Sequence, residues 1–113
     1  MVIDDEWVVA NVIELALADL GYRVITASNG RAGLERIAET RPDVILLDYM
    51  MPLLNGAGTL RKLAENPDYR NIPVILMSSL PESMVTDAKG YAVFLQKPFL
   101  DTELAEALLK VLS

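Results

Sequence analysis

Short aliphatic runs alternate along this chain with longer segments in which apolar residues return every three or four positions. That alternation is the mark of a parallel sheet joined by crossover helices. Five runs read as strands: Met1 to Asp4, Arg23 to Ala27, Val44 to Asp48, Pro73 to Ser78 and Ala92 to Gln96. Two of them, with cores Val44-Ile45-Leu46-Leu47 and Val74-Ile75-Leu76-Met77, are apolar at every position rather than at every second one. Strands of that kind are covered on both faces, so they belong at the centre of the sheet.

The intervening segments have helical period. Val9, Val12, Ile13, Ala16 and Leu20 form the expected inner stripe of a first helix, which Gly21 ends. A second helix spans about Arg31 to Thr40 with Leu34, Ile37 and Ala38 inward, and Pro42 bars its continuation. A third runs from about Ala57 to Glu65 on Leu60, Leu63 and Ala64, closed by Asn66-Pro67. The last, about Asp101 to Leu112, carries Leu104, Ala105, Leu108, Leu109 and Leu112, with Asp101 read as its N-cap. Between the fourth and fifth strands, Pro81 to Gly90 offers only Met84, Val85 and Ala88, enough for a shortened fourth helix of two or three turns. The predicted architecture is a doubly wound α/β three-layer sandwich. No repeat or linker divides it, so residues 1–113 read as one domain, with nothing left over for a second.

Composition narrows the chemistry. At 52% hydrophobic and 23% charged residues, the chain has the balance of a folded domain. It contains no His and no Cys, which excludes a Cys/His zinc site, a disulfide scaffold, a thiol nucleophile and a Ser-His-Asp triad. The absence of cysteine fits a reducing, cytoplasmic setting. The longest uncharged stretch, Tyr49 to Leu60, has 12 residues and three helix breakers, short of the ~20 apolar residues of a membrane span. Sixteen acids against ten bases give a net charge of −6, which argues against direct nucleic-acid binding.

In a doubly wound sheet, ligands bind beyond the carboxyl ends of the strands. Here those ends carry Asp4-Asp5, Asp48, Ser78-Ser79 and Lys97-Pro98. With the common strand order 2-1-3-4-5 they converge on one pocket. Carboxylates crowded there repel by about 4 kcal/mol per pair at ~4 Å and an effective dielectric of ~20. The cluster therefore needs a cation, and oxygen donors without imidazole or thiolate favour Mg²⁺. A carboxylate nucleophile, a hydroxyl, a lysine and a metal together make a phosphoryl-transfer site. Taken singly, each residue has a plainer reading. Asp4 or Asp5 suits a helix N-cap, Asp48 a turn, Ser78 a satisfied core hydroxyl and Lys97 a solvated surface charge. Their coincidence at one end of the sheet favours the site.

The stretch Asp48-Tyr49-Met50-Met51-Pro52-Leu53-Leu54-Asn55-Gly56, joined to Asp4-Asp5-Glu6 and Lys97-Pro98-Phe99, resembles the receiver domains of two-component response regulators over the whole chain. The resemblance implies a five-stranded flavodoxin-like fold. It also implies phosphorylation of Asp48 by a phosphohistidine on a sensor histidine kinase or histidine phosphotransfer domain. Mg²⁺ would be held by Asp5, Asp48 and the backbone carbonyl of Met50, with Asp4 acting mostly through water. By the same likeness Ser78 bonds the phosphoryl group, Lys97 pairs with it through a cis Lys97-Pro98 bond, and Phe94 is the aromatic of the switch. The expected output surface is the face of the fourth helix, fifth strand and fifth helix. The positions flanking the attacking water in the family are Met50 and Leu80 here, both unable to orient it, which implies a long-lived phosphoryl group. The first strand begins at Met1, which is shorter than usual in the family.

Such a module is no enzyme beyond its own aspartyl phosphorylation and dephosphorylation. Three other readings compete. An aspartate-nucleophile phosphatase typically has a second acid two residues after the first, where this chain has Met50. A flavodoxin-like cofactor binder needs a phosphate-binding loop after the first strand, where Asp4-Asp5-Glu6-Trp7 would repel a phosphate. A degenerate receiver, binding partners without phosphorylation, is disfavoured because all the acidic and basic site residues are present.

Overall fold

The computed structural model describes residues 1–113. Its strands are β1 (Val2–Ile3), β2 (Thr26–Ala27), β3 (Ile45–Asp48), β4 (Val74–Ser78) and β5 (Val93–Gln96). They form one parallel sheet in the order β2-β1-β3-β4-β5, the common doubly wound order that the family resemblance implies. Four helices cover it: α1 (Trp7–Asp19), α2 (Gly30–Thr40), α3 (Gly56–Glu65) and α4 (Asp101–Leu112). Every residue of β3 and β4 is buried, the outcome expected of strands without alternation.

Two apolar layers sandwich the sheet. On one side Ile45, Leu47, Val74 and Leu76 pack with Ile37 of α2 and with Leu60 and Leu63 of α3. On the other, Leu46, Ile75 and Met77 pack with Ile13 and Leu17 of α1 and with Leu104 and Leu108 of α4. Each such side chain contributes roughly 1.5–3 kcal/mol of burial, and successive strand residues serve opposite layers.

Local signals set the helix ends. Gly21 adopts φ 95°, and its N–H and that of Tyr22 donate to Ala18 and Leu17 carbonyls, a Schellman ending that a glycine permits. Asn29 and Asn55 cap α2 and α3, their Oδ1 atoms accepting from Ala32 and Gly58 N–H at 2.9 Å. Asp101 is not the N-cap of the last helix. Leu100 holds that position and Asp101 is the first helical residue, while the Glu103 carboxylate accepts from the Leu100 N–H.

The shortened fourth helix is reduced further than expected, to one 3₁₀ turn at Glu82–Met84. Only Val85 and Ala88 of that segment are buried, too few for a helical stripe, and Gly90 turns the chain back at φ 88°. Side-chain bonds take the place of helical ones: Tyr91 donates its hydroxyl to Glu82 at 2.7 Å, and Tyr49 donates to Asp87 at 2.5 Å.

Several predicted stripes are rotated. Val12 and Leu20 of the first helix are exposed, and Ala10 and Leu17 are buried in their place. Ala38, Ala64, Leu109 and Leu112 also face solvent. In a helix with apolar residues all round, periodicity does not choose the inner face. Strands β1 and β2 are shorter than the apolar runs that predict them, although the ladder bonds Val2 N–H to Ile25 and Asp4 N–H to Ala27 continue their pairing.

Candidate functional site

The strand order brings four strand ends together. Asp4 follows β1, Asp48 closes β3, Ser78 closes β4 and Lys97 follows β5. Register aligns them, with Asp48 opposite Met77 and Ser78 opposite Gln96. Asp4, Asp48 and Ser78 are buried and Asp5 is exposed. Carboxylate oxygens of Asp4, Asp5 and Asp48 lie within 4.8 Å of one another, so the three acids the sequence singles out form one cluster.

Lys97 spans this cluster. Its Nζ donates to Asp4 Oδ2 at 2.7 Å and to Asp48 Oδ1 at 3.2 Å. Asp4 spends its other oxygen locally, Oδ1 accepting from the Glu6 N–H at the entrance to α1. Burial pushes the Asp48 carboxyl up to about 6, with Lys97 opposing and Asp4 and Asp5 adding to the shift. Burial pulls the Lys97 ammonium down, but its bond to Asp4 and the charge of Asp48 outweigh that, leaving it above its ordinary value. The Lys97-Pro98 bond is cis, as the family resemblance implies.

The loop after β3 is held close to the acids. Gly56 N–H donates to the Tyr49 carbonyl at 2.9 Å, and a Cβ on Gly56 would lie 2.8 Å from Tyr49 Cα and 2.9 Å from the Asp48 carbonyl oxygen. Only glycine fits there. Asp5, Tyr49, Met50, Met51, Pro52 and Asn55 line an open depression beside the cluster. Met50 thus shares the site's mouth with Asp5 and exposes its side chain. A larger cavity, about 650 Å³, is elsewhere, at the opposite strand ends beside Arg23, Arg41 and Pro73.

Ser78 Oγ accepts from the Leu80 N–H at 3.0 Å. Phe94 is half-buried on β5, opposite Leu76, with its ring centroid 6.4 Å from that of Tyr91. The Tyr49–Asp87 and Tyr91–Glu82 bonds escape sequence reasoning. Tyr49 adjoins Asp48 in the chain, but nothing local marks its partner 38 positions away.

The donor set suits a hard divalent cation. It is three carboxylates without nitrogen or sulfur, one of them open to solvent and lining a depression with the loop after β3.

Comparison with known proteins agrees with this geometry. The family model described as "Response regulator receiver domain" matches residues 1–109. The chain is 38% identical to Protein PilG of Pseudomonas aeruginosa, over 96% of this chain and 82% of that protein. It spans less than half the length of seven further curated relatives. A signal receiver domain of a histidine kinase from Syntrophus aciditrophicus superposes with a TM-score of 0.90 at 32% identity, covering 98% of this chain and 86% of that one. The receiver domain of the sensor histidine kinase PA1611 from Pseudomonas aeruginosa, solved with magnesium coordinated in its active-site cleft, gives 0.88 at 28% identity, covering 99% and 95%. Family match, strand order and acid cluster agree: this chain belongs to the response regulator receiver domains of two-component signalling.

Proposed function

We propose that the domain is a phosphoacceptor switch that takes a phosphoryl group onto Asp48 from a phosphohistidine of a sensor histidine kinase or histidine phosphotransfer domain. The observation that carries this reading is the placement of Lys97 Nζ between Asp4 and Asp48 at the sheet's switch point. The chain has no histidine, so the donor is another domain.

In the transfer, an Asp48 carboxylate oxygen forms a bond to phosphorus as the donor's nitrogen–phosphorus bond breaks. With the donor ring protonated at its other nitrogen, the nitrogen that loses phosphorus keeps that electron pair and the imidazole leaves neutral. Asp5, Asp48 and the Met50 backbone carbonyl would hold Mg²⁺, with Asp4 acting through water. A bound divalent cation supplies neutralisation of charge on the phosphoryl oxygens. Lys97 turns from Asp4 toward the new phosphoryl group, a second fixed positive charge. Ser78 gives up its bond from Leu80 N–H and donates its hydroxyl hydrogen to a phosphoryl oxygen. Phe94, half-buried beside Tyr91, follows inward.

The domain turns over no outside substrate. It acts in the cytoplasm, and its output passes to a protein partner over the Glu82–Met84 turn, β5 and α4, the expected output surface without its predicted fourth helix. No helix is long and apolar enough to cross a membrane.

The test is intact mass after incubation with acetyl phosphate and Mg²⁺, on wild type and Asp48→Ala. One added phosphoryl unit in wild type alone supports the reading. No gain in wild type overturns it in favour of a phosphorylation-independent interaction module.

A further inference from the structure

The cavity of about 650 Å³ at the far strand ends is not used by the proposed transfer. Its volume falls in the range of small-molecule sites, roughly 300–1,000 Å³. Apolar lining comes from three elements: Val24 and Ile25 just before β2, Val44 and Leu46 at β3, and Leu108 and Val111 of α4.

Charge enters this lining from two loops. Arg23 stands before β2, while Arg41 and Asp43 stand between α2 and β3. No other charged side chain lines the cavity, so two arginines against one aspartate give it +1 in a chain of −6. The depression beside Asp48 has the opposite sign, with Asp5 its only charged residue. Neither Arg23 nor Arg41 is committed elsewhere: both salt bridges belong to Lys97, and the arginine that hydrogen-bonds is Arg36. A lone exposed arginine is ordinarily just solvated. Two from separate loops on one cavity are a pair of planar forks, the geometry that takes a carboxylate. The carbonyls that end α1 and α2 accept from the N–H groups of Gly21, Tyr22 and Arg41, which blunts the negative helix ends on this side.

Arg41 is also held in an uncommon backbone conformation. It caps α2 at φ 46° and ψ 64°, the left-handed region where glycine is the ordinary residue. Such positions cluster where a side chain has a use beyond the fold.

We infer that this cavity binds a small organic monoanion, a carboxylate with an apolar body. Arg23 and Arg41 hold the carboxylate, and the body lies along Val24, Val44, Leu108 and Val111. A phosphate monoester fits less well, because its second charge exceeds the +1 of the lining and meets Asp43. The inference does not rest on the chemistry at Asp48, and a failure of phosphorylation there leaves it standing.

The probe is decanoate, titrated into ¹⁵N-labelled protein. Saturable amide shifts are expected over residues 22–25, 41–46 and 108–112, with one site per chain. Decylamine and decanol, which share the apolar body without the anion, should bind at least about tenfold more weakly. Arg23→Gln with Arg41→Gln should lose about tenfold or more for decanoate and leave the weak decanol binding unchanged. Arg41→Gly, which suits the left-handed backbone, should keep the thermal midpoint and still weaken decanoate, separating ligand contact from fold. Arg61→Gln, an exposed arginine of α3 outside the cavity, should change nothing. Absent binding, equal binding of decylamine, or an unaffected double arginine variant overturns the inference. So does cosedimentation of the protein with phosphatidylglycerol vesicles that is lost in the double variant, since the arginines then serve a lipid surface.

Discussion

Lys97 lies closer to Asp4, at 2.7 Å, than to Asp48, at 3.2 Å, although Asp48 is the nucleophile of the proposed reaction. Asp4 is fully buried at its side chain, and Lys97 is its salt-bridge partner. Removing the cation strands a buried charge, a change that typically costs about 3–5 kcal/mol. Lys97→Met should therefore lower the urea midpoint sharply at neutral pH without divalent cation. Pairing it with Asp4→Asn should recover part of the loss, because the stranded charge goes with it. An unchanged midpoint in Lys97→Met would contradict the arrangement.

How far the sequence carried differs between sheet and helices. Val44 to Leu47 and Val74 to Met77 have no polar alternation, so their central place was legible, and the strand ends then named Asp4, Asp48, Ser78 and Lys97. The inner face of α1 was not legible, because its apolar residues cover every direction. The Pro81–Gly90 segment was misjudged for a different reason. It is held by Tyr49 and Tyr91 bonds to Asp87 and Glu82, and the Tyr49–Asp87 contact joins chain segments far apart. Periodicity reports on neighbours in a helix, not on side chains meeting across a sheet end.

The raised Asp48 carboxyl sets a pH dependence. Its folded value of about 6 exceeds the ordinary 3.8, so between those values the folded state binds more protons than the unfolded one. Stability linked to Asp48 is full below pH ~3.8 and is lost as pH rises through about 6. The span is of the order of 1–3 kcal/mol after allowance for solvent screening. Asp48→Asn should remove this component, so the stability difference between variant and wild type should grow in the variant's favour from pH 4 to 7 in metal-free buffer. A pH-independent difference would sink the assignment.

Dephosphorylation needs a water that is oriented or deprotonated, and general acid–base help of that kind is worth typically 10²–10⁴-fold. Met50 is exposed and Leu80 half-buried beside Ser78; Leu80 has no polar atom and Met50 only a weakly accepting sulfur, so neither side chain can deprotonate a water. Decay of protein labelled with acetyl phosphate should be slow in wild type and at least about tenfold faster in Met50→Asn with Leu80→Glu. No acceleration in the double variant would count against a lifetime set at these two positions.

The bond from Tyr49 to Asp87 ties the residue after Asp48 to the segment that stands where a fourth helix is predicted. Hydrogen bonding to the Asp87 carboxylate holds the Tyr49 phenol above its ordinary value of 10, and Glu82 does the same for Tyr91. Both should ionise above pH 10 in an ultraviolet pH titration. Asp87→Asn should return one of them toward 10, and Glu82→Gln should return the other, because an amide oxygen is a weaker acceptor than a carboxylate. The same variants should speed amide exchange at Val85 and Ala88, the two residues that anchor the segment to the core. If Asp87→Asn leaves both the titration and the exchange unchanged, the segment is held by Val85, Ala88 and the Tyr91–Glu82 bond without help from Tyr49. A tie between the Asp48 loop and the proposed output face then has to be sought through Ser78 and Phe94 instead.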